Sequence, residues 1–355
     1  MIKFKKQVKL LTIEKSKTIG DAINKINLNK MKTVFVISDK GKKYIGSVSD
    51  GDLRRGIINN FSKKDSIMSI VNKKSIFFKK KPKNTIIEKV FANNFIQCIP
   101  LLDKKNTIKE ILISTNYQFN QPLENSVLLL AGGQGKRLRP LTLKIPKPMI
   151  KLNKKPIMLH LIEKFKIHGF KNFIFCIKYK SSLIKKFFND GSNFGVDIKY
   201  SKESRFLGTA GPVLNAKNKI NKSLPFFVCN GDILTNVNFL EMLNFHNDNK
   251  ADITILSKFY EETNKYGVIT YDGIYMKNLE EKPSNYNLIN CGVYILSPIL
   301  FKYFNKAKNI NMTDFIKKKK KKKKKVILYP AHEFWMDIGT KSDYLNSKKY
   351  INKLN

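Results

Sequence analysis

Residues 127–142, VLLLAGGQGKRLRPLT, decide the fold of this 355-residue chain. A short apolar run of this kind is typical of a strand buried on both faces of a parallel sheet. The glycines that follow it let backbone N–H groups approach phosphate oxygens closely. The spacing fits neither the dinucleotide fingerprint nor the Walker loop, because no Gly-Lys-Ser/Thr follows. Arg137 and Lys147 add two cations near the same loop, so the stretch predicts a phosphate-binding unit.

Strands and helices alternate on the carboxyl side of this loop. The predicted strands are 127–131, 172–177, 196–200 and 225–230, and the predicted helices are 155–170, 182–188 and 209–216. This alternation predicts an α/β fold with a doubly wound, mostly parallel sheet.

The glycine-rich stretch and five later segments resemble, in the same order, the signature of the sugar-1-phosphate nucleotidyltransferases. This GT-A-like family includes mannose-1-phosphate guanylyltransferases and glucose-1-phosphate thymidylyltransferases. The later segments are LGTAG (207–211), NGD (230–232), YGVI (266–269), EEKP (280–283) with NCGVY (290–294), and FWMDIGT (334–340). The resemblance covers 126–355 and implies an enzyme that makes a nucleotide-sugar and pyrophosphate from a nucleoside triphosphate and a sugar-1-phosphate.

The resemblance also implies roles for individual residues. Arg137 and Lys147 would neutralise the phosphates and are the expected catalytic residues, because positioning and electrostatics supply most of the catalysis in phosphoryl transfer. Asp232 and Asp337 would hold Mg²⁺, the expected cofactor. The expected nucleotide group is Leu130, Ala131, Gly132, Gly133, Gly135, Glu203, Gly208 and Thr209. The expected sugar-phosphate group is Gly267, Glu281, Lys282 and Asn290.

The base pocket favours guanine. Glu203 precedes the LGT segment as in the guanylyltransferase pattern, and guanine presents two donors, N1–H and an amino group, that suit a carboxylate. The resemblance is compatible with GDP-mannose, GDP-glucosamine or GDP-heptose synthesis. A thymidylyl- or uridylyltransferase of the same fold is an alternative, and a non-catalytic nucleotide-sensing protein is an alternative of another class.

Residues 1–120 contain two weak copies of one unit, about 1–62 and 63–120. Thr18 and Thr85 both open predicted helices and lie 67 residues apart, and the turn residues Asp39 and Asp103 lie 64 residues apart. A period near 65 residues predicts two similar modules packed together. The polar residues 121–125 are the expected linker to a nucleotidyltransferase domain at 126–355.

The segment GSVSDGD (46–52) resembles part of a tandem CBS pair, or Bateman module. This resemblance implies an adenine nucleotide whose phosphate meets Ser49 and whose ribose meets Asp52. An anion site at this turn is physically reasonable, because a strand-to-helix turn places both side chains near a helix N-terminus that favours anions. The second copy lacks the pattern, and a scaffold without a ligand is the alternative.

The net charge of +41 suggests an anionic partner, but only five of the 68 basic residues are arginines. Proteins that recognise nucleic-acid phosphates and bases rely on the forked guanidinium of arginine, so no dedicated nucleic-acid binding is expected. The nine lysines at 317–325 are expected to continue a solvated helix.

The remaining expectations concern location and assembly. The sequence shows neither a membrane-length apolar run nor a signal peptide, which favours a cytoplasmic protein without membrane association. The four cysteines are scattered and predict reduced core thiols. A homo-oligomer is expected.

Overall fold

The computed structural model describes two compact units, Met1–Asn120 and Gln121–Asn355. The residues described are 2–3, 8–29, 31–40, 42–59, 61–94, 96–114, 122–303 and 309–352. Each unit is taken by itself below.

Within its described residues, the amino-terminal unit contains four helices and six strands. The helices are α1 (Val8–Leu11), α2 (Ile19–Asn29), α3 (Asp50–Ile58) and α4 (Asn84–Asn94). The strands are β1 (Ile2–Lys3), β2 (Thr12–Glu14), β3 (Thr33–Ile37), β4 (Tyr44–Ser49), β5 (Cys98–Leu102) and β6 (Ile108–Ile113).

A helix followed by two antiparallel strands occurs twice in this unit, as α2–β3–β4 and as α4–β5–β6. The first pair of strands forms a three-stranded sheet in the order β2-β3-β4, and the second forms one in the order β1-β6-β5. Ile23 of α2 and Val34 of β3 lie in one core cluster, and Ile87 of α4 and Ile99 of β5 lie in another. Helix α4 begins 65 residues after helix α2.

The carboxyl-terminal unit contains the long elements of the chain. Its helices are α5 (Ile157–Ile167), α6 (Ser181–Phe188), α7 (Gly211–Asn215), α8 (Phe239–Asp248), α9 (Met312–Lys321) and α10 (Lys341–Asn352). Its strands are β7 (Leu123–Ala131), β8 (Lys151–Leu152), β9 (Lys155–Pro156), β10 (Phe170–Ile177), β11 (Asp197–Lys202), β12 (Phe226–Asn230), β13 (Ile233–Thr235), β14 (Ile253–Thr263), β15 (Val268–Asp272), β16 (Tyr275–Glu280), β17 (Ser284–Leu296), β18 (Val326–Ala331) and β19 (Trp335–Asp337).

A seven-stranded sheet in the order β11-β10-β7-β12-β17-β14-β18 forms the centre of this unit. Six strands run in the same direction and β17 runs against its two neighbours. The prediction of an α/β, mostly parallel sheet is therefore confirmed. The strand order reverses between β7 and β12, and in open sheets of this kind ligands bind at the carboxyl ends of the strands beside such a reversal.

Alternating side chains of the central strand β7 build a core on each face of the sheet. Val127 and Leu129 pack on one face with Phe165 of α5, and all three are fully buried. Leu128 lies on the other face in a cluster with Val213 of α7. Successive residues of a strand point to opposite faces, so a continuous apolar run is what a strand covered on both faces requires.

The first strand begins earlier than the sequence predicts. Leu123 pairs with Phe170, and the side-chain amide of Asn125 donates a hydrogen bond of 2.8 Å to the carbonyl of Pro225. The last three residues of the predicted linker 121–125 therefore belong to β7. The polar side chains of Glu124 and Asn125 hide the strand in the sequence, because a specific hydrogen bond, rather than apolar packing, satisfies Asn125.

The lysine run is only partly the solvated helix that the sequence predicts. Helix α9 ends at Lys321, and its Lys319 is only 6% exposed. The ammonium of Lys319 lies 3.9 Å from the centroid of the Tyr303 ring. A long aliphatic stem can lie along an apolar surface while the charge contacts an aromatic face, which explains the burial.

The four cysteines are free and buried, as predicted. Burial raises the pKa of the Cys98 and Cys291 thiols to about 12. No helix in the described ranges combines the length and the apolar character needed to cross a bilayer.

Candidate active site

A crevice of about 500 Å³ lies at the carboxyl ends of β7 and β12, at the reversal of strand order. It is lined by all eight residues of the predicted nucleotide group, together with Arg137, Lys147 and Asp232. Phe206, Asn230, Asn309 and Gly339 also line it and were not predicted. The fold thus brings residues that are up to about 200 positions apart in sequence to one place.

The glycine loop after β7 has close neighbours on one side and open space on the other. A Cβ atom at Gly132 would lie 2.9 Å from Oε1 of Glu203, whereas one at Gly133 would meet no atom within 4 Å. Gly135 has a φ of +64°, and a Cβ atom there would lie 3.1 Å from the Cβ of Lys147. Gly132 and Gly135 therefore permit close approach, and Gly133 leaves its backbone accessible to a ligand.

Lys147 lies between the two carboxylates that were predicted to hold a metal. Its ammonium forms an ion pair with Oδ2 of Asp232 and lies 3.3 Å from Oδ1 of Asp337. The lysine opens the short 3₁₀ helix Lys147–Met149, and the prolines on either side of it, at 146 and 148, restrict the backbone. The predicted catalytic cation and the predicted metal ligands therefore form one cluster.

Two short strands bring the carboxylates together. Strands β13 and β19 are antiparallel, with Ile233 opposite Asp337, and the amide of Ile338 donates a hydrogen bond of 3.2 Å to the carbonyl of Asp232. Residues 105 positions apart are thereby fixed side by side. This pairing explains why NGD and MDIGT belong to one site.

The two carboxylates of this cluster offer oxygen ligands to a cation. Burial raises the pKa of Asp337, and repulsion from Asp232 raises it further, while Lys147 and Arg137 act in the opposite direction. Oδ1 of Asp232 is buried and has no hydrogen-bond partner among the described residues. Carboxylate oxygens are the ligands that hard divalent cations prefer, so this donor set fits a magnesium-type ion.

Glu203 supplies a buried acceptor in the same crevice. It directly follows β11, is 6% exposed, and accepts a hydrogen bond from the amide of Leu207. Burial raises the pKa of its carboxyl, and the Leu207 amide and the charge of Lys178 partly oppose this shift. The neighbouring Phe206 ring is 47% exposed and lines the same crevice. A carboxylate acceptor and an aromatic face are thus available together.

The LGTAG segment is held by a distant part of the chain. Ala210 donates to the carbonyl of Ile310 at 3.0 Å, and the hydroxyl of Thr209 accepts a hydrogen bond of 2.7 Å from the amide of Met312. Gly208 has a φ of +72°, and a Cβ atom there would lie 2.5 Å from the Ile310 oxygen. Thr209 therefore anchors the start of α9, and the same pairing brings Asn309 to the crevice. No motif around Asn309 signals this role.

The structure does not bring the sugar-phosphate group into this crevice. Gly267, Glu281 and Lys282 lie at the base of the β15–β16 hairpin, where Nζ of Lys282 is 3.7 Å from Oε1 of Glu281 and both side chains are mostly exposed. Asn290 lies on β17 and donates a hydrogen bond of 2.7 Å to the hydroxyl of Tyr294. Strand β17, which carries Asn290, also contacts the crevice. Its Gly292 packs so closely against Asn230, a crevice residue, that a Cβ atom at 292 would lie 2.5 Å from the Asn230 side chain.

Ser49 and Asp52 satisfy each other at the start of α3 in the amino-terminal unit. The amide of Asp52 donates to Oγ of Ser49 at 3.2 Å, and the amide of Ser49 donates to Oδ2 of Asp52 at 2.8 Å. Arg55 forms an ion pair with the other carboxylate oxygen of Asp52. This reciprocal pattern is a capping box, which accounts for both side chains without a ligand.

A basic cavity of about 920 Å³ lies at the opposite end of β4. The turn before β4 lines it, whereas Ser49 ends that strand. Glu14 is the one carboxylate among the residues that line it, and four different segments contribute lysines. These lysines are Lys9, Lys17, Lys25, Lys40 and Lys42. Burial lowers the pKa of Lys25, and the charge of Lys17 lowers it further while Glu14 opposes the shift.

A cavity of about 1000 Å³ at the amino ends of β7 and β10 is larger than the crevice but contains none of the predicted site residues. Ligands of open α/β sheets bind at the carboxyl ends of the strands. The smaller crevice at the carboxyl ends of the strands is therefore the candidate active site.

Comparison with known proteins yields relatives that are named as guanylyltransferases. Mannose-1-phosphate guanylyltransferase 1 of Arabidopsis thaliana is 35% identical over 236 residues, which are 64% of this chain and 65% of the relative. The mannose-1-phosphate guanylyltransferase catalytic subunit beta of Drosophila pseudoobscura pseudoobscura is 35% identical over 224 residues, 61% of this chain and 60% of the relative. The chain thus spans less than two thirds of the length of these relatives.

Solved structures share the fold of the carboxyl-terminal unit. HddC from Yersinia pseudotuberculosis superposes with a TM-score of 0.52 and 26% identity, covering 64% of this chain and 99% of its own, and it has also been solved in complex with GMP-PN. A UDP-glucose pyrophosphorylase complexed with UDP-glucose matches with a TM-score of 0.50 and 22% identity, over 66% of this chain and all of that one.

The family model described as "Nucleotidyl transferase" matches residues 126–353, which is more than half of the chain and includes every residue of the crevice. The glycine loop, the two facing carboxylates and the reversal of strand order all lie within that match. The chain belongs to the nucleotidyl transferase family.

Proposed function

We propose that the chain is a sugar-1-phosphate guanylyltransferase, which converts GTP and a sugar-1-phosphate into a GDP-sugar and pyrophosphate. The observation that carries the proposal is the buried carboxylate of Glu203 beside Gly132 of the phosphate loop. The relatives named as mannose-1-phosphate guanylyltransferases support guanine as the base and make mannose-1-phosphate the first sugar to test. GDP-glucosamine and GDP-heptose are the other products compatible with the site.

Glu203 and Phe206 would recognise the base. The ionised carboxylate of Glu203 accepts hydrogen bonds, and guanine offers N1–H and its amino group on the same edge. The half-exposed ring of Phe206 provides a surface on which a base can stack. Uracil and thymine present one donor and two carbonyl acceptors, so a buried carboxylate suits them less well.

The glycine loop and Arg137 would hold the triphosphate. Gly133 is exposed with open space where a side chain would lie, and the exposed guanidinium of Arg137 lies on the same loop. A phosphate oxygen of the sugar-1-phosphate attacks the α-phosphorus in line, a new P–O bond forms, and the bond to pyrophosphate breaks. Lys147 and Arg137 neutralise the charge on the phosphoryl oxygens and on the departing pyrophosphate.

Asp232 and Asp337 would hold a divalent cation, for which we propose Mg²⁺. The buried, unpartnered Oδ1 of Asp232 and the charge of the facing Asp337 support this assignment. When bound, such a cation supplies charge stabilisation for the phosphoryl oxygens. Lys147 then no longer has to balance both carboxylates, and its ammonium is available to the substrate phosphates.

The sugar-1-phosphate would bind at the open side of the crevice. Lys282 would neutralise its phosphate and Glu281 would accept hydrogen bonds from sugar hydroxyls, with Gly267 and Asn290 beside them. The approach of Gly292 to Asn230 supports this placement, because it joins the strand of Asn290 to the nucleotide crevice.

The proposal is tested by pyrophosphate release from GTP and mannose-1-phosphate with the full chain and magnesium. We expect turnover by the unmodified chain and almost none by Asp232→Asn. A non-catalytic nucleotide-sensing protein would bind GTP without releasing pyrophosphate with any sugar-1-phosphate, and that result would overturn the proposal.

We further propose that the amino-terminal unit is a CBS pair that binds an anionic nucleotide. The repeated helix–strand–strand arrangement and the lysine-lined cavity support this proposal. An adenine nucleotide at Ser49 and Asp52 is one placement, although these side chains already cap α3. The basic cavity at the other end of β4 is the second placement, since its cations suit phosphates and Ile13 and Ile37 offer apolar contact.

Calorimetric titration of the full chain with AMP and ATP, at saturating GTP to fill the catalytic crevice, separates these placements. Loss of binding in Asp52→Ala indicates the Ser49 site, and loss in the double variant Lys17→Gln, Lys25→Gln indicates the basic cavity. If neither nucleotide produces heat, the amino-terminal unit binds neither of them, and the alternative of a scaffold without a ligand is favoured.

A further inference from the structure

The start of helix α10 is fixed by a capping box between Thr340 and Asp343. Oδ2 of Asp343 accepts hydrogen bonds of 2.8 Å from both the amide and the hydroxyl of Thr340. The amide of Asp343 donates in turn to Oγ1 of Thr340 at 3.2 Å. This reciprocal pattern satisfies amides that have no partner within the helix and sets the point at which the helix begins.

The same carboxylate oxygen also holds the residue before the box. Oδ2 of Asp343 accepts a third hydrogen bond, of 3.1 Å, from the amide of Gly339. Helix α2 offers a comparison, because Asp21 accepts from the amide and the hydroxyl of Thr18 in the same way. There the preceding residue, Lys17, donates its amide to a backbone carbonyl instead. The bond to Gly339 is therefore additional to what the capping of a helix requires.

Gly339 lies in the crevice beside Arg137. It is one of the lining residues, and a Cβ atom at 339 would lie 3.6 Å from both terminal nitrogens of the Arg137 guanidinium. The same point lies 3.5 Å from Oδ2 of Asp343. The guanidinium and the carboxylate thus flank one glycine, and their opposite charges favour this arrangement. A displacement of Gly339 would move the surface against which Arg137 lies.

Two anchors hold the short segment that carries Asp337. On its amino side, Asp337 pairs with Ile233 across β13 and β19. On its carboxyl side, Ile338 is fully buried and Gly339 is bonded to Asp343. Because a single residue separates Asp337 from Gly339, loss of the second anchor would let the aspartate shift.

Helix α10 is itself attached to the carboxyl-terminal unit along its length. The hydroxyl of Tyr344 donates a hydrogen bond of 3.0 Å to the carbonyl of Lys151. Near the end of the helix, the ring of Tyr350 stacks on that of Phe334 with centroids 3.4 Å apart. The helix therefore provides a fixed support from which Asp343 can hold the preceding segment.

We propose that Asp343 is a positioning residue of the active site, which keeps Asp337 in place for the divalent cation and Arg137 in place for the triphosphate. The inference rests on the proposed function, since the cation and the triphosphate belong to that function. Asp343 is not among the residues that line the crevice, and it acts through the backbone of Gly339 and Thr340.

Two measurements on the full chain test this role. They are the affinity for Mn²⁺ without nucleotide, by electron paramagnetic resonance, and the initial rate of pyrophosphate release. We expect Asp343→Ala to bind Mn²⁺ at least about tenfold more weakly and to lower kcat at least about tenfold, because small displacements of reacting groups are costly. Asp343→Asn should recover most of both, since its amide oxygen can accept from the same backbone amides.

Two control variants separate positioning from the loss of a cap. Asp21→Ala removes the matching box from α2, and Asn238→Ala removes the cap of α8 in the same unit as Asp343. Both should leave the Mn²⁺ affinity and kcat unchanged. The fluorescence of Trp335 checks that each variant in the carboxyl-terminal unit is folded. Thr340→Ala, which leaves both amide bonds to Asp343 in place, is a milder variant and should show a smaller loss of the same kind.

The outcomes distinguish this inference from the proposed function. Unchanged Mn²⁺ affinity in Asp343→Ala and Thr340→Ala, beside weakened binding in Asp232→Asn, would overturn the inference alone. Equal weakening in Asn238→Ala would also overturn it, because loss of any cap would then have the same effect. Equal Mn²⁺ binding by Asp232→Asn and the unmodified chain would overturn the proposed metal site, and the inference with it.

Discussion

Nζ of Lys147 lies 3.3 Å from Oδ1 of Asp337, a residue 190 positions later in the sequence. The same ammonium forms an ion pair with Asp232, so one side chain contacts both carboxylates at the carboxyl end of the sheet. A positive charge at this point is what phosphoryl transfer between two anionic substrates requires. The cluster therefore lies at the centre of the proposed function.

We expect Asp232→Asn and Asp337→Asn each to reduce turnover by about a hundredfold or more, because each loses a charged ligand to the metal. Initial rates at saturating magnesium measure the effect, and circular dichroism checks that the fold is intact. Lys155→Gln is the control, since Lys155 pairs with Glu163 on the surface. Near-normal activity of either aspartate variant would remove that residue from the metal site.

Lys147→Gln should bind Mn²⁺ more tightly than the unmodified chain in the absence of nucleotide. The ammonium and a metal ion compete for the same two carboxylates, and their repulsion at close range amounts to several kcal/mol, so the gain should be at least about tenfold. Electron paramagnetic resonance of free Mn²⁺ measures the affinity. Arg139→Gln removes a nearby exposed charge and should change it little. Unchanged affinity in Lys147→Gln would contradict the competition.

Glu203→Gln should weaken the preference for GTP. An amide cannot accept both guanine donors, and an unpaired buried donor costs about 1–3 kcal/mol, which corresponds to about fivefold to 150-fold in kcat/KM. Competition between GTP and the other three nucleoside triphosphates measures the effect. Equal discrimination by the variant and the unmodified chain would exclude Glu203 from base recognition.

The same residue predicts a pH dependence. The pKa of Glu203 is raised, so its carboxyl takes up a proton at a higher pH than an ordinary glutamate. Since only the ionised form accepts both donors, KM for GTP should rise as the pH falls through this raised pKa. The KM of Glu203→Gln should not follow this titration, and a parallel pH profile would contradict the assignment.

His246 should make the carboxyl-terminal unit sensitive to acid. Ser297 donates its hydroxyl proton to the carbonyl of Ala251, so it accepts from Nε2–H of His246, and Nδ1 lies 2.8 Å from the hydroxyl oxygen of Thr254. Burial lowers the pKa of His246 to about 4, with Asp252 opposing the shift, so the ring is neutral at pH 7 and its Nδ1 accepts from Thr254.

Because the pKa of His246 is lower in the folded state than in the unfolded state, its contribution to stability is fully present above pH 6.5, the unfolded pKa. This contribution is lost as the pH falls toward 4. The full loss is about 3 kcal/mol. Urea unfolding followed by the fluorescence of the single tryptophan, Trp335, measures the stability of this unit. His246→Gln should lose about that much less stability between pH 7 and pH 4, and identical losses would contradict the neutral assignment.

Much of the carboxyl-terminal unit could be predicted because its signals are local. The run 127–131 is buried on both faces, so it had to be apolar throughout, and the glycine loop follows it directly. The nucleotide group, Arg137, Lys147 and Asp232 all line the crevice as expected. The start of β7 could not be predicted, because Asn125 is satisfied by a hydrogen bond to a residue 100 positions away.

Long-range pairing accounts for most of what the sequence did not reveal. Asn309 reaches the crevice only because Ile310 pairs with the segment at 207–210, which no periodicity predicts. The pattern at Ser49 and Asp52 fits both a ligand site and a capping box, and the structure forms the capping box. The exposure of the hairpin residues Glu281 and Lys282 depends on the tertiary fold, which motif spacing does not give.

The most direct test of the account is a matrix of four nucleoside triphosphates against mannose-1-phosphate, glucosamine-1-phosphate and heptose-1-phosphate, scored by pyrophosphate release. The account predicts turnover with GTP and at least one of these sugars, with the other triphosphates at least about tenfold slower, as expected for loss of one buried hydrogen-bonding partner. Faster turnover with dTTP or UTP would contradict guanine recognition by Glu203. Absence of turnover in every combination would contradict the proposed enzyme.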